Sequence, residues 1–171
     1  MERPHQQLLS TKRWGIKIGS ALLTRPGEGL DVERIRWLSG EIAELRKQGK
    51  EVVLVTSGSV AAGMQQLGLQ RRPRALHQLQ AAASVGQMGL INAYATACKQ
   101  YGIHTAQILL THSALSDRGR HLNARSVLHT LLQMGILPVV NENDTVATDE
   151  FRFGDNDTLA AMTANLVEAD V

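Results

Sequence analysis

The sequence predicts an α/β protein with a mainly parallel sheet. Short apolar runs rich in β-branched residues alternate along the chain with helical patterns, which is typical of that class. The run EVVLVT at residues 51–56 is apolar at successive positions, as in a strand covered on both faces. A length of 171 residues, with 43% hydrophobic and 20% charged residues, suits one globular domain.

Each element follows from its spacing and its stop signals. Strands are predicted at 14–18, 51–56, 103–110 and 136–140, and helices at 31–48, 60–67, 76–100, 118–134 and 156–168. Asp31 can cap the first of these helices and Gly49 ends it. Pro138 suits the start or an edge position of the last strand better than a central one. Residues 141–154 are polar and are predicted to form a loop, with an alternating stretch compatible with a hairpin.

Composition excludes several classes of function. Cys98 is the single cysteine, so neither an intrachain disulfide nor a cysteine-based metal cluster is expected. No histidine pair has metal-ligand spacing, and we predict no protein-ligated metal site. No apolar run approaches the roughly 20 residues of a membrane span. Aromatics are 4%, and the basic stretch at 71–74, which lacks them, is interpreted as a solvated loop. We therefore expect a soluble cytoplasmic protein with neither a membrane nor a nucleic-acid partner.

Ligands of parallel sheets bind beyond the carboxyl ends of the strands, which directs attention to four loops. They are residues 17–20, 57–63, 111–117 and 141–157. Residues 141–171 carry one basic and eight acidic side chains, against 17 basic and eight acidic in residues 1–140. This acidic stretch is either a solvated surface or a pocket for an amino group or a metal.

Individual loops carry further chemistry. Lys17, at the end of the first strand, can reach the ligand crevice, although a lysine at a strand end is more often a solvated surface residue. Residues 56–63 lead into a helix whose first N–H groups can seat an anion, and their small side chains also fit a close-packed turn. Two acid–amide clusters, at 141–144 and 154–157, would meet on one side of the sheet. Neither a Walker A loop nor a GxGxxG fingerprint is present.

Taken in order, six segments resemble the amino acid kinase family, and within it the branch that phosphorylates glutamate. They are KIGSALLT (17–24), VTSGSVAAG (55–63), SVGQ (84–87), LNAR (122–125), VVNENDTVAT (139–148) and FGDND (153–157). The resemblance covers essentially the whole chain and implies an α/β/α sandwich. It also implies transfer of the γ-phosphate of ATP, with Mg²⁺, to the side-chain carboxylate of L-glutamate. The product would be glutamyl 5-phosphate, the first intermediate of proline biosynthesis.

The resemblance assigns roles residue by residue. It implies catalytic roles for Lys17 and Asp157, ATP-phosphate contacts for Lys17, Gly19 and Ser20, and glutamate contacts for Ser57, Gly58, Asn141, Asp144, Asp155 and Asn156. On charge grounds the ammonium group of glutamate should lie near Asp144 or Asp157, and its carboxylates near Ser57, Asn156 and the helix start. The acceptor carboxylate is already ionised at pH 7, so no general base is needed.

The family also implies partners and further domains. It implies a homo-oligomer, feedback inhibition by proline, and a glutamyl-phosphate reductase downstream. Because the family's nucleotide-base pocket and many members' PUA domain follow later, residues 1–171 are expected to be the N-terminal, glutamate-binding portion of the kinase domain. Alternatives are the kinase portion of a bifunctional pyrroline-5-carboxylate synthase and a non-catalytic glutamate- or proline-sensing fragment. The missing GxGxxG disfavours a Rossmann-type oxidoreductase.

Overall fold

The fold is built on a four-stranded parallel sheet, seen in a computed structural model that describes residues 8, 10–25, 27–147 and 156–171. The strands are β1 (Arg13–Lys17), β4 (Glu51–Val55), β5 (Thr105–Leu110) and β6 (Leu137–Glu142), in the order β1-β4-β6-β5. Every pairing between them is parallel. Two short strands, β2 (Thr24–Arg25) and β3 (Gly29–Leu30), form a separate antiparallel pair.

Seven helices join and flank these strands in the described residues. They are α1 (Ser20–Leu23), α2 (Val32–Lys47), α3 (Ser59–Gln66), α4 (Leu76–Lys99), α5 (His112–Ser116), α6 (Arg118–Gln133) and α7 (Asp157–Val167). The predicted α/β class with a parallel sheet is therefore confirmed. The short elements α1, β2, β3 and α5 were not predicted, because segments of two to five residues are too short to show a period. None of the described helices has the length and apolar character needed to cross a bilayer.

The stop signals of helix α2 act as the sequence predicts. Asp31 accepts a hydrogen bond of 3.0 Å from the backbone N–H of Arg34, two residues into the helix. Gly49, just beyond the helix, has a φ of 81°, a conformation that glycine adopts without steric cost. The capping of both ends positions the following strand, β4, for entry into the sheet.

Alternate residues of β4 pack into two separate cores. Val52 and Leu54 belong to a cluster with Ile35 of α2 and Tyr94 of α4. Val53 and Val55 belong to a second cluster, which Leu128 and Leu132 of α6 and Leu159 and Leu166 of α7 complete. Successive side chains of a strand point to opposite faces, so the continuous apolar run of β4 reflects a sheet covered by helices on both sides.

Strand β6 departs from the sequence prediction in two ways. It continues through Asn141 and Glu142, which were expected in a loop, because β5 pairs with both of them. It also lies in the interior of the sheet although it contains Pro138. The N–H of the preceding Leu137 donates to His104 on the β5 side, so the missing N–H of Pro138 faces β4. There pairing starts only at Val139, and no ladder bond is lost.

Candidate active site

A cavity of about 290 Å³ opens at the carboxyl ends of β1, β4 and β6. Six of the residues predicted from the sequence line it: Ser20, Ser57, Gly58, Asn141, Asp144 and Asn156. Three of the four expected ligand loops thus meet at one place. The fourth loop, residues 111–117, does not line this cavity.

Helices α3 and α4 cross closely beside the cavity. A Cβ atom added to Gly63 would lie 1.6 Å from the carbonyl oxygen of Ala82, and one added to Gly86 would lie 1.8 Å from that of Ser59. Since real Cβ atoms never approach backbone so closely, both positions require glycine. This contact brings the SVGQ and SGSVAAG segments together, and Gln87 lies next to Asn141, which lines the cavity.

The start of α3 offers a seat for an anion. Gly58 precedes the helix with a φ of 104°, which L side chains rarely adopt, so the backbone turns sharply after β4. The preceding hydroxyl, Ser57 Oγ, is buried and has no hydrogen-bond partner among the described residues. Unpaired N–H groups and the positive end of the helix dipole lie at such a helix start. A carboxylate would satisfy both the hydroxyl and the helix.

Asp144 supplies the negative charge of the cavity. It is only 7% exposed, and Ser59 Oγ donates a hydrogen bond of 2.9 Å to its Oδ2 atom. The pKa of Asp144 is raised to about 6, chiefly because burial disfavours its charged form and also because the charge of Glu142 lies nearby; the bond from Ser59 and the charge of Arg72 act in the opposite direction. A buried carboxylate of this kind gains from a cationic ligand group.

Three side-chain amides form a hydrogen-bonded row along the cavity wall, which we call the amide chain. Asn156 Nδ2 donates to the backbone carbonyl of Thr56 at 2.5 Å and to Asn141 Oδ1 at 2.7 Å. Asn141 Nδ2 donates in turn to Gln87 Oε1 at 2.7 Å. Both hydrogens of the Asn156 amide are therefore in use, and its buried Oδ1 has no partner among the described residues.

This arrangement changes the role expected for Asn156. From charge considerations, a carboxylate of the ligand was expected beside its amide, but in this structure the amide has no hydrogen left to donate to one. What Asn156 offers is an acceptor, Oδ1, and an acceptor suits the ammonium group of an amino acid. With Asp144, the cavity thus holds two acceptors for a cation.

Lys17 and Asp157 form an ion pair beside the cavity. Lys17 Nζ lies 2.5 Å from Asp157 Oδ1, which joins the end of β1 to the first residue of α7. The Lys17 side chain is one-third exposed and is therefore accessible to a ligand. A Cβ atom at Gly19 would lie 3.4 Å from Nζ, so glycine keeps the space around the ammonium group open. An accessible lysine next to a glycine, whose backbone no side chain covers, is suited to contact the phosphates of a nucleotide.

Arg72, interpreted from the sequence as part of a solvated loop, is exposed but also lines the cavity. No periodicity marked it, because it lies in an irregular segment between α3 and α4. Asp155, an expected glutamate contact, lies outside the described residues.

The class of protein follows from this fold and this site together. A parallel sheet between helices, with a lysine at the end of the first strand and an acid–amide pocket beside it, is what the resemblance of the six segments implied. The chain belongs to the amino acid kinase family, whose model matches residues 12–171.

Three curated relatives of the chain are glutamate 5-kinases. The chain is 61% identical over 171 residues to the glutamate 5-kinase of Nitrosococcus oceani and to that of Thioalkalivibrio sulfidiphilus, covering 100% of this chain and 46% of each relative. It is 58% identical over 164 residues to the glutamate 5-kinase of Nitrosospira multiformis, covering 96% of this chain and 44% of the relative. The chain thus spans less than half the length of these curated relatives.

Proposed function

We propose that the protein phosphorylates the side-chain carboxylate of L-glutamate with ATP, the reaction for which its relatives are named. The observation that carries this proposal is the mixed character of the cavity. Ser57 Oγ and the start of α3 offer donors to a carboxylate, whereas Asp144 and Asn156 Oδ1 offer acceptors to an ammonium group. An amino acid with a second carboxylate needs both kinds of contact.

In this proposal Lys17 acts at the side-chain carboxylate of glutamate, where the phosphoryl group is transferred. Phosphoryl transfer between two anions needs their repulsion to be neutralised, and little covalent chemistry from the protein. Lys17 supplies a positive charge at the rim of the cavity, and Asp157 holds its side chain at 2.5 Å. Bound ATP with Mg²⁺ would supply the γ-phosphoryl group.

Wider parts of the proposal follow from the family alone. Residues 12–171 would form the N-terminal, glutamate-binding portion of a kinase domain that acts in the cytoplasm. The product would be glutamyl 5-phosphate, which a glutamyl-phosphate reductase would consume on the way to proline. Proline would act as feedback inhibitor of a homo-oligomeric enzyme.

A binding experiment tests the substrate first. The full 171-residue chain is titrated with L-glutamate and, as the matched control, with L-aspartate, which is one methylene shorter. At 100 times its Kd a ligand stabilises the fold by about 2.7 kcal/mol, which is visible as a rise in Tm. We expect the rise with glutamate only. Equal shifts with both amino acids, or none with either, would contradict the proposal.

The kinase step is tested separately. The chain is incubated with Mg²⁺ and ATP, with and without L-glutamate, and ADP is measured. Glutamate-dependent ADP formation supports catalysis by this chain. Glutamate binding without ADP formation would instead favour the sensing fragment that the sequence left open.

A further inference from the structure

We propose that Gln87 is a positioning residue, which holds Asn156 as an acceptor and so makes the site selective for ligands that carry an ammonium group. The inference rests on the proposed function, because it concerns the same cavity. Gln87 lies on α4 and is separated from Asn141 by 54 positions in sequence. Gln87 is the last residue of the SVGQ segment, but the resemblance assigns it no role, and its side chain does not line the cavity.

The direction of the amide chain is fixed at one end by a backbone carbonyl. A carbonyl oxygen can only accept, so Thr56 requires Asn156 to turn its Nδ2 atom inward, at 2.5 Å. The second hydrogen of that Nδ2 then requires the oxygen of Asn141, at 2.7 Å. Asn141 therefore directs its own Nδ2 atom away from Asn156, and this buried donor needs an acceptor there.

Gln87 supplies that acceptor. Its Oε1 lies 2.7 Å from Asn141 Nδ2, and both asparagines are 2% exposed, so bulk water does not replace it. Without Oε1, Asn141 would keep a buried donor unpaired, which is costly. Turning Asn141 around would relieve that cost, but it would set its Nδ2 against the Nδ2 of Asn156. Asn156 would then lose the acceptor of its second hydrogen and keep only its bond to the Thr56 carbonyl, so its Oδ1 atom would no longer be held firmly toward the ligand.

The proposal predicts a change in selectivity rather than a general loss of binding. Glutarate has both carboxylates of glutamate but no amino group, so it does not use the acceptor of Asn156. In the wild-type chain L-glutamate should bind more tightly than glutarate. Gln87→Met, which keeps the shape of the side chain without its amide oxygen, should weaken glutamate binding about tenfold and glutarate binding less than about twofold.

Two further variants make this test specific. Gln87→Glu keeps an acceptor for Asn141 and should retain the preference for glutamate. Gln78→Met places the same substitution at an exposed position of the same helix and should behave as wild type. Calorimetric titration measures all four chains. Equal weakening of both ligands by Gln87→Met, or loss of preference in Gln87→Glu, would overturn the proposal; if Gln87→Met does not fold, Gln87→Leu takes its place.

A ligand-free measurement separates this inference from the proposed function. Hydrogen exchange of the side-chain amides of Asn141 and Asn156 is followed by NMR in wild-type and Gln87→Met chains. We expect slow exchange in the wild type and exchange at least about tenfold faster at Asn141 in the variant. If the wild type bound neither ligand, the proposed function would fail, but the exchange rates would still test the role of Gln87. Unchanged exchange at Asn141 in the variant would overturn the proposed role of Gln87.

Discussion

Ser59 Oγ donates a hydrogen bond of 2.9 Å to Asp144 Oδ2 across 85 positions of sequence. The bond ties the first turn of α3 to the segment that follows β6, and so closes the cavity on two sides. It also stabilises the ionised form of a carboxyl group that burial disfavours. Asp144 is therefore held ready for a cation, at a cost to the stability of the empty protein.

That cost predicts how pH acts on stability. Because the pKa of Asp144 is raised to about 6 from an ordinary value of 3.8, the native state holds more protons than the unfolded state between these values. Its contribution to the free energy of unfolding therefore decreases as pH rises through this window. Asp144→Asn should be more stable than wild type by about 3 kcal/mol at pH 7, with the difference vanishing near pH 4. Urea titrations at both pH values measure it, and an equal difference at both would contradict the assignment.

The same group predicts how pH acts on binding. As pH falls through about 6, Asp144 takes up a proton and loses the charge that attracts an ammonium group. Glutamate affinity of the wild type should fall over this range, whereas Asp144→Asn should bind weakly at every pH. Titration calorimetry between pH 5 and pH 8 checks this, and parallel pH profiles for the two chains would exclude Asp144 as the cause.

Ser57→Ala should increase the stability of the ligand-free chain and weaken glutamate binding. The hydroxyl of Ser57 is buried without a partner among the described residues, and burying it unpaired costs about 1–3 kcal/mol. The alanine variant should therefore melt at a higher temperature than wild type in the absence of ligand, yet bind glutamate more weakly. Ser116→Ala removes a hydroxyl that donates to the carbonyl of His112. This control should show neither a higher Tm nor weaker glutamate binding. A lower Tm for Ser57→Ala would show that the hydroxyl has a structural partner.

Lys17→Ala should affect turnover far more than glutamate binding. The Lys17 side chain pairs with Asp157 outside the residues that line the cavity, so the acceptors for the ammonium group remain. Loss of a charge that neutralises phosphoryl transfer should lower kcat about 100- to 1,000-fold, with glutamate affinity changed less than about threefold. Steady-state kinetics and calorimetry measure the two effects. A variant that lost glutamate affinity instead would place Lys17 in the substrate pocket.

Gly86→Ala tests the crossing of α3 and α4. The new Cβ atom would lie 1.8 Å from the carbonyl oxygen of Ser59 and 2.3 Å from the N atom of Gly63, so the helices must separate. We expect a loss of about 3 kcal/mol or more in urea unfolding. Gly89→Ala on the same helix is the control, since there the Cβ meets only the flexible end of Gln66. It should change stability by less than about 1 kcal/mol; similar losses in both variants would mean that the crossing is not the cause.

The long elements could be predicted from the sequence because their signals are local. The Asp31 cap and the stop at Gly49 lie within or beside the helix that they delimit. The end of β6 could not be predicted in this way, because Asn141 and Glu142 are polar and are strand residues only through their pairing with β5. Polar residues enter a buried strand when their side chains find partners, and those partners are distant in sequence.

For the site, the sequence and the resemblance supplied the residue types, but the structure supplied their hydrogen-bond roles. An asparagine can donate or accept, and the carbonyl of Thr56, 100 positions away, together with Asn141 uses both hydrogens of Asn156 and leaves its Oδ1 atom as the available acceptor. Arg72 and Gln87 were missed as functional residues for a similar reason. Arg72 lines the cavity directly, whereas Gln87 is linked to it only through Asn141, and local spacing predicts neither contact.

The cavity is completed by bonds between segments 85 and 100 positions apart, and this has a consequence for folding rates. Contacts between such distant segments require most of the chain to be in place before they form. A ligand whose binding requires all of these contacts should bind the folding transition state only weakly. Its binding should therefore slow the unfolding rate much more than it accelerates refolding, so that a saturated chain resists proteolysis chiefly through the longer lifetime of its native state.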